Sequence, residues 1–241
     1  MKLTNNTVLI TGGSSGIGLA LGRALLKRNN RIILLGTNRT MLSELEKEGF
    51  KTIICDLANQ DEIERAVIHI QNNFPNLNIL FNNAGVQFNY NFLDNVIPLD
   101  KISKEIAINV TGQILLTQLL IPQLINAQKA LIVNTTSGLG AFPKDDGLVY
   151  SASKAAIRNF TIGLRNSLKN TSVNVLEFMP PVTETRMTNG RNEQKMSAEE
   201  LVQHIVPQLE KEKKLLTIGK MRLFLLIAFM FPSLAKKIVS K

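Results

Sequence analysis

The sequence contains few of the residues that build disulfides and metal centres. Its 241 residues include one cysteine, two histidines, two tyrosines and no tryptophan. A single cysteine, Cys55, excludes an internal disulfide and is typical of a reducing compartment, so we expect a cytoplasmic protein. His69 and His204 lie in polar helical stretches, so we expect no metal site. The start, MKLTNNTVLITGG, has no long apolar stretch before a cleavage site, and we expect no secretory signal.

The sequence also has little charge imbalance outside its C-terminal tail. Residues 211–241 hold eight basic residues and one acid, which accounts for +7 of the net charge of +9. Any attraction to an anionic partner therefore belongs to this tail. Within it, LFLLIAFMFPSLA (223–235) is shorter than the roughly 20 apolar residues that span a bilayer. Three interpretations stay open: the tail caps a substrate pocket, packs against a partner subunit, or contacts an anionic membrane surface peripherally.

A cluster of aromatic residues, QFNYNFLDN (87–95), has no basic residues beside it. Nucleic-acid binding normally combines aromatic and basic side chains, so we expect no nucleic-acid partner. We interpret 87–95 as a loop that packs over a ligand cleft.

Short apolar runs alternate with longer stretches of helical composition. The runs are near-continuously apolar, as expected for strands that are covered on both faces. The alternation predicts an α/β protein with one doubly wound parallel sheet of about seven strands and helices on both faces. The predicted strands are 7–13, 31–37, 51–57, 78–85, 130–138 and 173–181, with a candidate last strand at 215–219. The predicted helices are 16–29, 40–48, 60–73, 102–126 and 149–169.

The first predicted strand runs into a glycine-rich loop, TGGSSGIG (11–18). Gly12, Gly16 and Gly18 allow a tight turn into a helix, whose free N–H groups and positive dipole end suit a pyrophosphate. The spacing is not the GxGxxG of the common dinucleotide fingerprint. The position of the loop between the first strand and the first helix nevertheless favours a nucleotide.

The end of the second predicted strand, LLGTNRT, lacks the acid that usually binds the adenosine ribose. Gly36, Thr37 and Asn38 stand at that place, and Arg39 follows. Without a carboxylate nothing repels a 2′-phosphate, and Arg39 can pair with it. We therefore expect NADP(H) to be preferred over NAD(H). The alternative is that Arg39 is a solvated turn residue.

Tyr150 and Lys154, in VYSASKAAI (149–157), are four residues apart and so share one face of a helix. Spacing alone describes many surface pairs, but TGGSSGIG, NNAG, TTSG and YSASK follow in order on one alternating chain. Over about residues 5–220 the sequence resembles the shorter short-chain dehydrogenases/reductases. Through NTVLITGGSSGIGLAL, KEIAINVTG and PPVTET it further resembles the oxidoreductases that accompany teichoic-acid D-alanylation genes of Gram-positive bacteria.

The resemblance implies a single-domain Rossmann fold over 1–241, with a substrate lid and the tail in 186–241, and it implies roles for four residues. Tyr150 would exchange a proton with the substrate oxygen. Lys154 would hold the nicotinamide ribose and lower the pKa of Tyr150, by at most about three units for an ammonium about 4 Å away. Ser137 would bind the substrate oxygen. Asn109 would kink its helix and anchor a proton-relaying water.

The resemblance also implies a set of cofactor-binding positions, in which Asp56 would meet the adenine. They are Thr11, Gly12, Ser14, Ser15, Gly16, Ile17, Gly18, Thr37, Asn38, Arg39, Asp56, Leu57, Asn83, Ala84, Gly85, Tyr150, Lys154, Pro180, Thr183 and Thr185. One departure makes contacts to the carboxamide less certain: the family usually has Pro-Gly where this chain has Pro180-Pro181, and a second proline lacks an N–H group.

We expect from these patterns an enzyme that transfers hydride between NADP(H) and a carbonyl or secondary alcohol. The polar lid segment RMTNGRNEQKMS (186–197) predicts little aromatic recognition of the substrate. By resemblance, helices 102–126 and 149–169 would form the interface of a homodimer or homotetramer. The alternative is a cofactor-binding regulatory or membrane-associated subunit without turnover, against which the complete set Asn109, Ser137, Tyr150 and Lys154 argues.

Overall fold

The computed structural model describes residues 1–90, 92–93 and 98–239. The described residues form one parallel sheet with the strand order β3-β2-β1-β4-β5-β6-β7. The strands are β1 Thr7–Thr11, β2 Arg31–Gly36, β3 Lys51–Ile54, β4 Leu77–Asn82, β5 Ala130–Thr135, β6 Val173–Phe178 and β7 Leu215–Leu216. All six predicted strands and the candidate seventh are confirmed, and each ends earlier than predicted because its polar end turns into a loop. Asn91, Asp94 and Asn95 of the predicted loop and Lys241 of the tail lie outside the described residues.

Helices cover both faces of the sheet. They are α1 Gly16–Leu26, α2 Arg39–Glu46, α3 Gln60–Asn73, α4 Leu99–Ile106, α5 Gly112–Asn126, α6 Leu148–Ser167, α7 Ala198–Glu210, α8 Gly219–Met230 and α9 Pro232–Val239. Successive residues of β1 point to opposite faces. Val8 and Ile10 pack with α1, α2 and α7, whereas Leu9 packs with α3, α5 and α6. Burial on both faces is the reason that the strands are continuously apolar.

The helix predicted over 102–126 is present as a helical run over Leu99–Asn126 that contains a π-helical turn. A π-helical turn at Ala107–Thr111 separates α4 from α5. Turns of this kind are common at functional sites. By length and composition Leu99–Asn126 would be long enough to cross a membrane. It packs against α3, β4 and β5, however, as a core helix does.

Helices α7, α8 and α9 are absent from the prediction. For α7 the signal was present: Ser197 caps its first turn by accepting from the backbone N–H of Glu200 at 3.1 Å, and apolar residues recur with helical spacing behind it.

Candidate active site

A cavity of about 960 Å³ opens at the carboxyl ends of the central strands. Open parallel sheets bind their ligands at this edge. The cavity brings together residues from the glycine loop, the end of β4, the end of β5, helix α6 and the loop after β6. The predicted site residues that line it are Gly12, Ser14, Ser15, Gly16, Ile17, Asn83, Ala84, Gly85, Ser137, Tyr150, Lys154, Pro180, Thr183 and Thr185.

The glycine loop needs its glycines for two physical reasons. Gly12 and Gly16 have φ values of +64° and +53°, a left-handed conformation that other residues rarely adopt. A Cβ at Gly18 would lie 2.5 Å from the carbonyl oxygen of Gly12, so α1 packs closely on the loop. Helix α1 begins at Gly16, and the Ser15 side chain makes no cap hydrogen bond. This geometry directs the amino end of a helix at the cavity, as phosphate binding requires.

Thr11 ties the glycine loop to the end of β4 and does not line the cavity. Its hydroxyl accepts from the backbone N–H groups of Asn83 and Ala84 at 2.9 and 3.0 Å. The Asn83 amide in turn donates to the Thr11 carbonyl at 3.1 Å. Thr11 therefore fixes the two loops against each other.

Tyr150 and Lys154 lie on the first turns of α6 and share the face that borders the cavity. The ammonium of Lys154 donates to the carbonyl of Thr135, at the end of β5, at 2.9 Å, and lies 5.7 Å from the ring centre of Tyr150. Ser137 follows β5 and hydrogen-bonds the Tyr150 side chain. A Cβ at Gly140 would lie 2.7 Å from the backbone of Lys154, so this loop packs directly on α6.

Burial dominates the electrostatics of this pair. It raises the pKa of Tyr150 to about 12, and the Ser137 hydrogen bond and the Arg191 charge oppose it only in part. Burial also lowers the pKa of Lys154 to about 8. The net shift of the Tyr150 pKa is therefore upward, and a lowering contribution from Lys154 stays a prediction. The physical reason for the upward shift is that removing the phenolate from water costs more free energy than the Ser137 hydrogen bond and the Arg191 charge offset.

Asn109 lies in the π-helical turn, and its side chain faces the backbone of Val86. The Asn109 amide donates to the Val86 carbonyl at 2.8 Å and accepts from the Val86 N–H at 2.8 Å. It also donates to the hydroxyl of Ser153 on α6 at 3.1 Å. These bonds hold the loop after β4, including Gly85, against Lys154. The π-helical turn contains Asn109, whereas a kink at this residue and the anchoring of a water stay predictions.

Five predicted cofactor positions lie at the ends of β2 and β3, outside the cavity lining. The Asn38 side chain caps α2 by accepting from the N–H of Met41 at 3.1 Å. Asp56 accepts from the N–H of Ala58 at 2.9 Å, and Leu57 is buried in the core. Thr37 and Arg39 are exposed. Within the part of the chain that the structure describes, Arg39 has no ion pair.

The cavity also contains residues that the motifs did not indicate. Gln87, Lys144 and Arg191 line it, as do Met221 and Phe224 of α8. The two α8 side chains cover the loop after β5, since a Cβ at Gly138 would lie 2.7 Å from Met221 and 3.3 Å from Phe224. The two residues are three positions apart, so they share one face of a helix. This spacing is the sequence signal that could have predicted a tail helix facing the pocket.

Comparisons with known proteins agree with this architecture. The family model for short chain dehydrogenases matches residues 6–196. An uncharacterised oxidoreductase of Bacillus subtilis, DltE, is 38% identical over 225 residues, covering 90% of this chain and 89% of its own. A short-chain dehydrogenase of Burkholderia cenocepacia, crystallised with NADP, superposes with a TM-score of 0.88 at 21% identity over the whole of both chains. One from Burkholderia phymatum with NAD gives 0.86 at 19%, covering 98% and 97%.

A doubly wound parallel sheet with a glycine loop and a Tyr–Lys pair in one cavity defines a nucleotide-dependent oxidoreductase. The chain belongs to the short-chain dehydrogenase family. It is an NAD(P)-dependent enzyme of that family, as the sequence motifs predicted.

Proposed function

We propose that this enzyme transfers hydride between NADP(H) and a carbonyl or secondary alcohol, with Tyr150 as the group that exchanges the proton. The observation that carries the proposal is the arrangement of Tyr150, Ser137 and Lys154 on the wall of the cavity that also contains the glycine loop. The nicotinamide would supply the hydride chemistry. The protein would hold the substrate oxygen at Tyr150 and Ser137, and Gly12, Gly16 and Ile17 would border the phosphates.

The acid–base state of Tyr150 suits the proton donation that carbonyl reduction requires. A phenol with a pKa of about 12 is protonated near neutral pH. It is then ready to donate a proton to a developing alkoxide, whereas it is a scarce base for alcohol oxidation. The direct test follows NADPH consumption with a panel of neutral and carboxylate-bearing aldehydes and ketones, with Tyr150→Phe as the blank. If no probe is reduced above the blank, the regulatory alternative is favoured.

The preference for NADPH rests on Arg39. It is exposed at the first position of α2, three residues after β2 ends at Gly36. A Cβ built on Gly36 would lie 3.5 Å from the hydroxyl of Ser14 in the glycine loop. We expect Arg39→Gln to weaken NADPH binding about 10- to 100-fold, because a charge-assisted bond to the 2′-phosphate is lost, and to leave NADH binding unchanged. Nicotinamide fluorescence titrations measure both. The matched control is Lys47→Gln, an exposed cation at the other end of α2. Equal losses for both cofactors would contradict the assignment.

Exposed apolar side chains support assembly of the enzyme as a homodimer or homotetramer. Ile125 on α5 and Ile162 on α6 are exposed, as are Leu223, Leu226 and Phe229 on the outer face of α8. Because such surface is normally covered, we expect light scattering to give the mass of two or four chains. A monomer that floats with vesicles of anionic lipid would instead support the alternative in which the basic tail contacts a membrane from the cytoplasmic side.

A further inference from the structure

Arg191 lies on the wall of the cavity that Tyr150 also lines. One of its terminal nitrogens, Nη2, donates to Oε1 of Gln87 at 2.8 Å. Gln87 directly follows Val86, whose backbone is held by Asn109 on both its N–H and its carbonyl. The guanidinium is therefore hydrogen-bonded to the loop after β4, which Asn109 holds in place.

Another cation of the cavity lining, Lys144, already has carboxylate neighbours. Lys144 lies 3.6 Å from a carboxylate oxygen of Asp146 and 3.6 Å from one of Glu193. Over residues 1–90, 92–93 and 98–239, Arg191 forms no such ion pair, and its hydrogen-bond partner is the neutral amide of Gln87. A guanidinium presents five donors in a planar arrangement that fits a carboxylate with two parallel bonds. Its remaining donors suit an anion that enters the cavity.

Arg191 is also within electrostatic reach of the reactive hydroxyl. Its positive charge is one of the influences that lower the pKa of Tyr150, against the larger effect of burial. Tyr150, Ser137 and Arg191 line the same cavity, so a molecule bound there can face all three. Arg186 also lines the cavity, but its side chain is exposed to solvent.

We propose that the substrate carries a carboxylate that Arg191 binds, so that the enzyme interconverts a short keto acid and the corresponding hydroxy acid. This inference rests on the proposed hydride transfer. In the reduction, a hydride from NADPH adds to the carbonyl carbon and the Tyr150 hydroxyl gives its proton to the carbonyl oxygen. The products are the hydroxy acid and NADP⁺, and one proton from solvent restores Tyr150.

The test compares acids with their esters. Acetoacetate is paired with methyl acetoacetate, and pyruvate with methyl pyruvate, because each pair differs mainly in the charge. We expect the wild type to prefer at least one acid over its ester about 10-fold or more in kcat/KM. Arg191→Gln is expected to lower kcat/KM for the acid about 10- to 100-fold. The kcat/KM for the ester should stay within about 2-fold of the wild-type value. Arg191→Lys should retain part of the preference. Lys195→Gln removes a charge from the same lid segment outside the cavity lining, and it should leave kcat/KM unchanged for both the acid and the ester.

Two results would overturn the inference and leave hydride transfer intact. One is a wild type that reduces every ester tested as well as the matching acid. The other is an Arg191→Gln variant whose affinity for NADPH falls as much as its kcat/KM for the acid. That result would show that Arg191 binds the cofactor.

If no carbonyl probe is reduced at all, hydride transfer is the proposal that fails, and an equilibrium measurement decides the carboxylate site. Calorimetric titration of succinate into the enzyme–NADPH complex should show saturable binding that Arg191→Gln weakens about 10-fold or more. Absence of succinate binding to the wild type, or binding that the variant keeps, would overturn the site.

Discussion

Replacing Tyr150 with phenylalanine is expected to lower kcat for carbonyl reduction about 1,000-fold and to leave the Kd for NADPH nearly unchanged. The substitution removes one hydroxyl, which is the proton donor, and keeps the buried ring on the cavity wall. Proton transfer by a positioned side chain contributes roughly 10²- to 10⁴-fold to a rate. Steady-state turnover and a fluorescence titration of NADPH measure the two quantities on the same preparation.

The chain offers a matched control, because it contains only one other tyrosine, Tyr90. The Tyr90 hydroxyl donates to a carboxylate oxygen of the buried Glu105 at 3.1 Å, and Tyr90 does not line the cavity. Tyr90→Phe therefore makes the same chemical change away from the reacting atoms, and we expect kcat to stay within a few-fold of the wild type. If Tyr150→Phe abolished NADPH binding, or if Tyr90→Phe cost as much activity, the assignment of Tyr150 as proton donor would be wrong.

The features that sequence reasoning placed correctly are those encoded within a few residues. The strands follow from apolar runs that both faces of the sheet bury, and the Tyr150–Lys154 pair follows from one helical turn. The glycine loop is equally local, since left-handed φ values at Gly12 and Gly16 are required by the turn itself. Motifs of this kind can be predicted because each residue's partner is close by in the sequence.

Arg191 could not be predicted in the same way. Its partner, Gln87, is 104 residues away, and only the fold brings the lid segment to the loop after β4. The sequence of the lid segment (186–197) shows that its residues are polar, but it does not show which of them faces the cavity. Asn109 is similar, because the motif indicates the residue while its bonds to Val86 and Ser153 depend on the packing of α6 against the π-helical turn.

The net direction of the Tyr150 pKa could not be predicted from the sequence for a related reason. A charge four residues away can be read from the spacing, and it predicts that Lys154 lowers the pKa of Tyr150. Burial depends on everything that packs around the pair, including the tail residues Met221 and Phe224 that cover the adjoining loop. In this site burial has the larger effect on both groups.

Replacing Lys154 with methionine is expected to abolish most turnover and, at the same time, to stabilise the fold near neutral pH. Lys154 is 2% exposed, and burial lowers its pKa from the ordinary 10.5 to about 8. Between these two values the unfolded chain binds more protons than the folded one, so stability rises with pH across that window. Below about pH 8 the full cost applies, and it amounts to roughly 3 kcal/mol of unfolding free energy.

Methionine has a similar length and no charge, so it removes that cost, but it also loses the hydrogen bond to the Thr135 carbonyl, worth about 1 kcal/mol. The net gain at pH 7 is therefore about 1–2 kcal/mol, or roughly 3–6 °C in Tm for a chain of this size. Thermal unfolding between pH 6.5 and 10.5 should show the gain shrink above pH 8, vanish before pH 10.5 and become a small loss there, because only the lost hydrogen bond then remains. Lys169→Met, at an exposed lysine just beyond α6, should change Tm little at any pH. A Lys154→Met protein that is less stable than the wild type at pH 7, with a difference independent of pH, would show that the buried ammonium carries no such cost. A stability gain of Lys154→Met below pH 8 would mean that the folded chain keeps a destabilising charge at Lys154. The proposed proton transfer from Tyr150 to the substrate needs that charge.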